Sequence, residues 1–142
     1  TLGTRVTATL TIVDDTLVQH GIISFSANSY SINEDNTSIN PVTLIRTNGN
    51  DGTVTVTLTP TNGTATAPGD FDNTPITITF GNGETSKTVT IPIVNDAIFE
   101  SNETVTLTLS SPTGGATLGT PVTATLTIVS DDAAQPGIIS FT

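Results

Sequence analysis

Three stretches of this chain, Thr53–Thr59, Thr104–Ser110 and Val122–Val129, alternate hydroxyl side chains with Val, Leu, Ile or Ala almost without a break. A two-residue period puts every apolar side chain on one face of an extended backbone. On a helix the same residues would spread round the whole surface. Threonine is β-branched, so the polar face favours the strand as much as the apolar one does. No segment carries a convincing 3.6-residue period. The chain is therefore expected to be all-β.

Seven strands follow from the alternation and from the turn clusters between them, Thr47–Gly52, Gly81-Asn82-Gly83 and Ser111–Gly115. The first is Ile22–Phe25 with Tyr30–Ile32 after a break, and the second is Pro41–Arg46. Thr53–Thr59 is the third, with Val54, Val56 and Leu58 inward. Ile76–Phe80 is the fourth. Lys87–Val94 is the fifth, with Val89, Ile91 and Ile93 inward, and Pro92 marks it as an edge or a bulge. Thr104–Ser110 is the sixth, with Val105, Leu107 and Leu109 inward. Val122–Val129 is the seventh, with Val122, Ala124, Leu126 and Ile128 inward. Seven short strands at this spacing predict an antiparallel β-sandwich of immunoglobulin-like type.

The chain also repeats itself. Residues 1–13 return as 117–129 with one change, Arg5 to Pro121, and Gly21–Phe25 returns as Gly137–Phe141. Both copies lie at an offset of 116 (117 − 1 and 137 − 21). Fixed-period self-similarity marks a tandem array. The expected organisation is 1–15 as the last strand of a preceding repeat, 16–20 as linker, 21–132 as one complete domain, 133–136 as linker and 137–142 as the first strand of a following repeat. Leu2–Val13 then lacks its home sheet. Unpaired strands seek edges, so a strand-exchanged homo-oligomer of this fragment is a further expectation.

Thirteen acids stand against three Lys and Arg, a net charge of −10. Nucleic acid and anionic membrane surfaces both call for basic side chains and are not expected partners. No apolar run is long enough for membrane insertion. There is no Cys and no Met, which removes soft-metal ligation and leaves oxygen donors. If each strand reverses direction, the loops after strands one, three, five and seven share a pole. Those loops hold Glu34, Asp35, Asp70, Asp72, Asp96, Glu100, Glu103, Asp131 and Asp132. The opposite pole holds Asp51, Glu84 and the bases Arg46 and Lys87. Asp14 and Asp15 belong to the equivalent pole of the preceding repeat. Like charges crowded without a base need a cation or protons. Ca²⁺ takes six to eight oxygens in flexible geometry, whereas Mg²⁺ demands a tight octahedron, so Ca²⁺ is the expected cofactor. The competing explanation is that Asp and Asn are ordinary turn formers.

The remaining chemistry is sparse. His20, the one His, reads as a solvated linker residue, and its equivalent in the next repeat is Pro136. Lys87 is in phase with Val89 and Ile91 and is expected to reach back to water. Ser and Thr hydroxyls lie on strand faces without a base to activate them, so no enzyme is expected. One Tyr and no Trp make a poor sugar platform.

Several stretches together resemble the Calx-beta family, known from the regulatory domains of sodium–calcium exchangers and from bacterial surface proteins. They are Tyr30–Glu34, Val42–Arg46, Asn62–Phe71 with its Pro68-Gly69-Asp70, Ile78–Thr85, Ile93–Asp96 with Glu100 and Glu103-Thr104-Val105, and Leu126–Asp132. The likeness runs over about 21–132. It implies an immunoglobulin-like sandwich whose acidic pole binds several Ca²⁺ ions. It also implies that Glu34, Asp70, Asp96, Glu100, Glu103, Asp131 and Asp132 are the ligands. Phe71 stands where the family often has Tyr, and Ser130 where calcium-binding members can carry a third terminal acid. The expected function is that of a non-catalytic Ca²⁺-binding structural repeat in a larger extracellular or cell-surface, adhesin-like protein, with neighbouring repeats of the same polypeptide as partners. The rival expectations are a metal-free spacer and a sugar- or protein-binding adhesion module.

Overall fold

A computed structural model describes residues 1, 3–13 and 17–132. Ten strands form among the described residues and build two facing sheets. They are β1 (Ile22–Phe25), β2 (Ser29–Asn33), β3 (Ser38–Asn40), β4 (Val42–Thr47), β5 (Val54–Asn62), β6 (Ile76–Phe80), β7 (Ser86–Val89), β8 (Glu103–Ser110), β9 (Thr117–Leu118) and β10 (Thr123–Val129). One sheet has the order β7-β4-β1-β9, the other β3-β2-β10-β8-β5-β6.

The expected sandwich is present, with three refinements. The break in the first strand is a change of sheet: β1 pairs with β4, and β2 pairs with β10. Tyr30 fixes the crossing, because its hydroxyl takes the Ala27 N–H and donates to the Thr43 carbonyl, both at 2.9 Å. Two pairings, β1 with β9 and β2 with β10, are parallel; the other pairs are antiparallel. The expected fifth strand stops at Val89, because Pro92 brings no N–H to a ladder. Ile91 and Ile93 still turn into the core, and Ile93 forms an isolated bridge with Phe71.

The core lies between the sheets and consists of the side chains the alternation points inward. Val54, Val56, Leu58, Val105, Leu107 and Leu44 are fully buried, together with Phe25, Phe71 and Phe80. Burying one such side chain stabilises by roughly 1.5–3 kcal/mol. Outward, Thr57 faces Ser110, and Thr59 faces Thr108 across β5 and β8, so the hydroxyls tile the outer face.

Strand directions agree with the alternation of poles inside each sheet. In the larger sheet β2, β5 and β10 run one way and β6 and β8 the other, and in the smaller sheet β7 runs opposite to β4. Residues 3–13 form no strand and are exposed, Leu10 at 86% and Ile12 at 88%. Asp14, Asp15, the linker 133–136 and the expected strand 137–142 lie outside the described residues.

Candidate metal centre

The acidic pole is assembled on a short extended piece, Pro92–Val94. Asp72 N–H donates to the Pro92 carbonyl (3.0 Å), and Val94 N–H to the Asp70 carbonyl (2.9 Å). That fixes the β5–β6 loop and its Asp70. Asn36 fixes the β2–β3 loop. Its amide donates to the Ile93 carbonyl at 2.9 Å and accepts the Ile93 N–H at 2.8 Å, as a neighbouring strand would. Glu34 N–H donates to the Val129 carbonyl (2.9 Å), which ties the same loop to the end of β10. Thr104 N–H donates to Thr64 Oγ1 (2.8 Å), and Ala65 N–H to the Thr104 carbonyl (2.9 Å), so Glu103 is held beside Asp70.

Seven carboxylates converge on this frame. Three groups have ligand oxygens within 4.8 Å of one another: Glu34 with Asp131 and Asp132, Glu34 with Asp96 and Glu100, and Asp70 with Glu100 and Glu103. Glu34 belongs to two groups and Glu100 to two, so the three form one connected row. These are the seven residues expected from the sequence. A cavity of about 10 Å³, bordered by Glu34, Asp70, Glu100 and Glu103, lies within the row. That is about the space that one water or one small ion needs.

Glu34 is the innermost member, only 3% exposed, and its Oε1 accepts the Asp96 N–H at 3.1 Å. Burial raises its pKa against that hydrogen bond, and Asp96, Asp132 and Asp131 raise it further. Glu103 is pushed up to about 7, first by burial and then by Asp70, Glu100 and Glu34. Glu100 and Asp132 are raised too, burial again leading, with acidic neighbours next. Asp132 Oδ2 is buried and has no hydrogen-bond partner. No base relieves this crowding. The one ion pair among the described residues, Lys87 with Glu84, is at the other end.

Asp35 and Asp72 share the pole but not the row. Asp35 Oδ1 accepts the Thr37 N–H, and Asp72 Oδ1 accepts both the N–H and the hydroxyl of Thr74. These turn bonds lower both pKa values, the Thr hydroxyls contributing most. The turn-former explanation is correct for these two.

A family model described as the Calx-beta domain matches residues 14–132. The chain belongs to the Calx-beta family. The Calx-beta chain is 37% identical over 123 residues to adhesion G-protein coupled receptor V1 of Danio rerio, covering 85% of this chain and 2% of that protein. It is 34% identical over 112 residues to sodium/calcium exchanger 1 of Canis lupus familiaris, covering 78% of this chain and 11% of that one. The chain therefore spans a small part of the curated relatives it matches. Among solved structures, the apo-form Calx CBD1 domain superposes with a TM-score of 0.67 at 26% identity, over 78% of this chain and 99% of that domain. CBD12 from CALX1.2 gives 0.68 at 26% identity, over 78% of this chain and 44% of that one.

Sequence reasoning missed Asn36, which holds the Glu34 loop, and the burial of Arg46, and it misjudged His20 at the opposite pole. His20 is not a solvated linker side chain. It is half-buried, and its Nδ1 lies 3.1 Å from the Asp51 carbonyl oxygen. Arg46, noted only as a base at the acid-poor end, is 2% exposed. An Arg among strand residues was the available signal, since a buried guanidinium must find several acceptors.

Proposed function

We propose that this Calx-beta domain binds Ca²⁺ through Glu34, Asp70, Asp96, Glu100, Glu103, Asp131 and Asp132, and serves as a non-catalytic repeat of a larger extracellular or cell-surface protein. The observation that carries this reading is the connected row of carboxylate groups with no base beside it. Two supporting facts are the partnerless Asp132 Oδ2 and the raised pKa of Glu103. Each marks a negative site that lacks a positive partner. A divalent cation would supply charge neutralisation and would join loops from four different connections. The donors are all oxygens and come from several separate chain segments, which suits Ca²⁺ better than Mg²⁺. Glu34 and Glu100 would bridge adjacent ions, so the reading is of more than one ion per domain. One structural relative is described as a calcium binding domain, CBD12 of CALX1.1.

The offset of 116 supports a tandem arrangement in which the domain 21–132 and the linker 133–136 together make one period (117 − 1, 137 − 21). No helix of the described residues is long and apolar enough to cross a membrane. Calorimetric titration with Ca²⁺ tests the proposal: heat with a stoichiometry above one supports it, and no heat at millimolar Ca²⁺ removes it, leaving a metal-free spacer. A second reading concerns residues 3–13, which repeat the sequence of β10 and leave Leu10, Ile12 and Val13 exposed. We propose that the segment pairs with another copy of the chain. Light scattering at high concentration that shows only monomer excludes it.

A further inference from the structure

We propose that the acid-poor pole is a receptor for the backbone of the chain leading into β1, holding Gln19–His20 without a metal ion and with little regard to which side chain stands at position 20. It stands apart from the calcium reading.

The segment is docked by main-chain groups. Gln19 N–H donates to Asp51 Oδ2 at 2.8 Å, and Asp51 N–H returns a bond to the Gln19 carbonyl at 2.9 Å. Arg46 closes the site from inside. Its Nε donates to the His20 carbonyl (2.7 Å), its Nη2 to the Asp51 carbonyl (2.6 Å) and its Nη1 to the Gly81 carbonyl (3.2 Å). One buried guanidinium thus joins the incoming chain, the β4–β5 loop and the β6–β7 loop. It meets carbonyl dipoles rather than a carboxylate, so its fork geometry defines the site.

The pole is shaped for close backbone approach. A Cβ on Gly49 would run into the Gln19 backbone, and one on Gly115 would run into the His20 ring. Gly49 also has φ +134, which side-chain-bearing residues rarely adopt.

Recognition falls mainly on atoms that every residue type has. The contacts use the Gln19 N–H and carbonyl, the His20 carbonyl and one His20 ring nitrogen, and none uses the His20 N–H. A proline at position 20 keeps the carbonyl that Arg46 takes. The equivalent residue 116 positions on (136 − 20) is Pro136, preceded by Gln135 and followed by Gly137, the same neighbours as His20 has.

Backbone amide exchange of the whole chain in EDTA tests this, so its failure is separate from failure of the calcium reading. Gln19 and Asp51 amides are expected to exchange about 100-fold or more slower than unstructured peptide, while amides of residues 3–13 exchange freely. Adding Ca²⁺ should change Gln19 protection little. Asp51→Ala should release Gln19, and Arg46→Gln should release Asp51 as well, with Leu107 still protected as the sign of an intact fold. His20→Pro should leave the Asp51 amide protected. Free exchange at Gln19 in EDTA, protection that appears only with Ca²⁺, or loss of Asp51 protection in His20→Pro would each overturn the proposal. If Arg46→Gln unfolds, the Asp51→Ala and His20→Pro results decide.

Discussion

The two ends of this sandwich solve opposite electrostatic problems. At one pole, seven carboxylates meet with no base, and burial and mutual repulsion raise the pKa of Glu34, Glu100, Glu103 and Asp132. At the other, a single buried cation, Arg46, is satisfied by three neutral carbonyls. The cationic pole is complete within the chain, because a guanidinium has donors to match the carbonyl oxygens that loop ends leave unpaired. The anionic pole has no such match, because ionised carboxylates offer one another only acceptors. The contrast separates a site whose charge is met within the chain from one whose charge is not.

The largest effect that sharpens this contrast is expected from Arg46→Ala. It strands three carbonyl partners and should cost about 3–5 kcal/mol, equally in Ca²⁺ and in EDTA, by urea unfolding. Calcium itself should act on the other pole alone. At a hundred times its Kd, a single site stabilises by about 2.7 kcal/mol, roughly 10 °C in Tm. A melt unchanged between EDTA and millimolar Ca²⁺ would break the comparison.

The next effect is pH dependence in EDTA. Glu103 titrates near 7 when folded against 4.5 as its ordinary value. Between those values the folded state holds a proton that the unfolded state has lost, so stability falls as pH rises through the window. The size is roughly 1–2 kcal/mol after allowance for partial exposure. Glu34, raised in the same direction, adds to the slope, and saturating Ca²⁺ should flatten it. A flat EDTA profile from pH 4.5 to 7 contradicts the carboxylate crowding. Glu103→Gln should raise the EDTA stability at pH 7.5 by about 1 kcal/mol while weakening Ca²⁺ binding. The smallest effects belong to Asp35→Ala and Asp72→Ala. These lose turn bonds and lower Tm slightly, and calorimetry should find their Ca²⁺ stoichiometry unchanged.

Much of this molecule was legible in local pattern. The alternation in Thr53–Thr59 and Thr104–Ser110 picked out Val54, Val56, Leu58, Val105, Leu107 and Leu109, all buried. Strand parity then put nine acids at one end. Parity could not divide the row from Asp35 and Asp72, because that depends on which carboxylate finds a Thr two residues on and which reaches across loops. It also could not show that residues 90–94 leave the ladder while keeping Ile91 and Ile93 buried.

The amino-acid order therefore determined the strands, the inward side chains and the sign of charge at each end. These follow from a period of two and from alternating strand direction, both properties of neighbouring residues. The folded structure alone decided which carboxylates meet, that Asn36 braces them, and that Arg46 and His20 close the far pole. Those outcomes rest on bonds between residues 57, 62 and 26 positions apart. Contacts at such separations exist only once the two sheets have packed and brought their loops together.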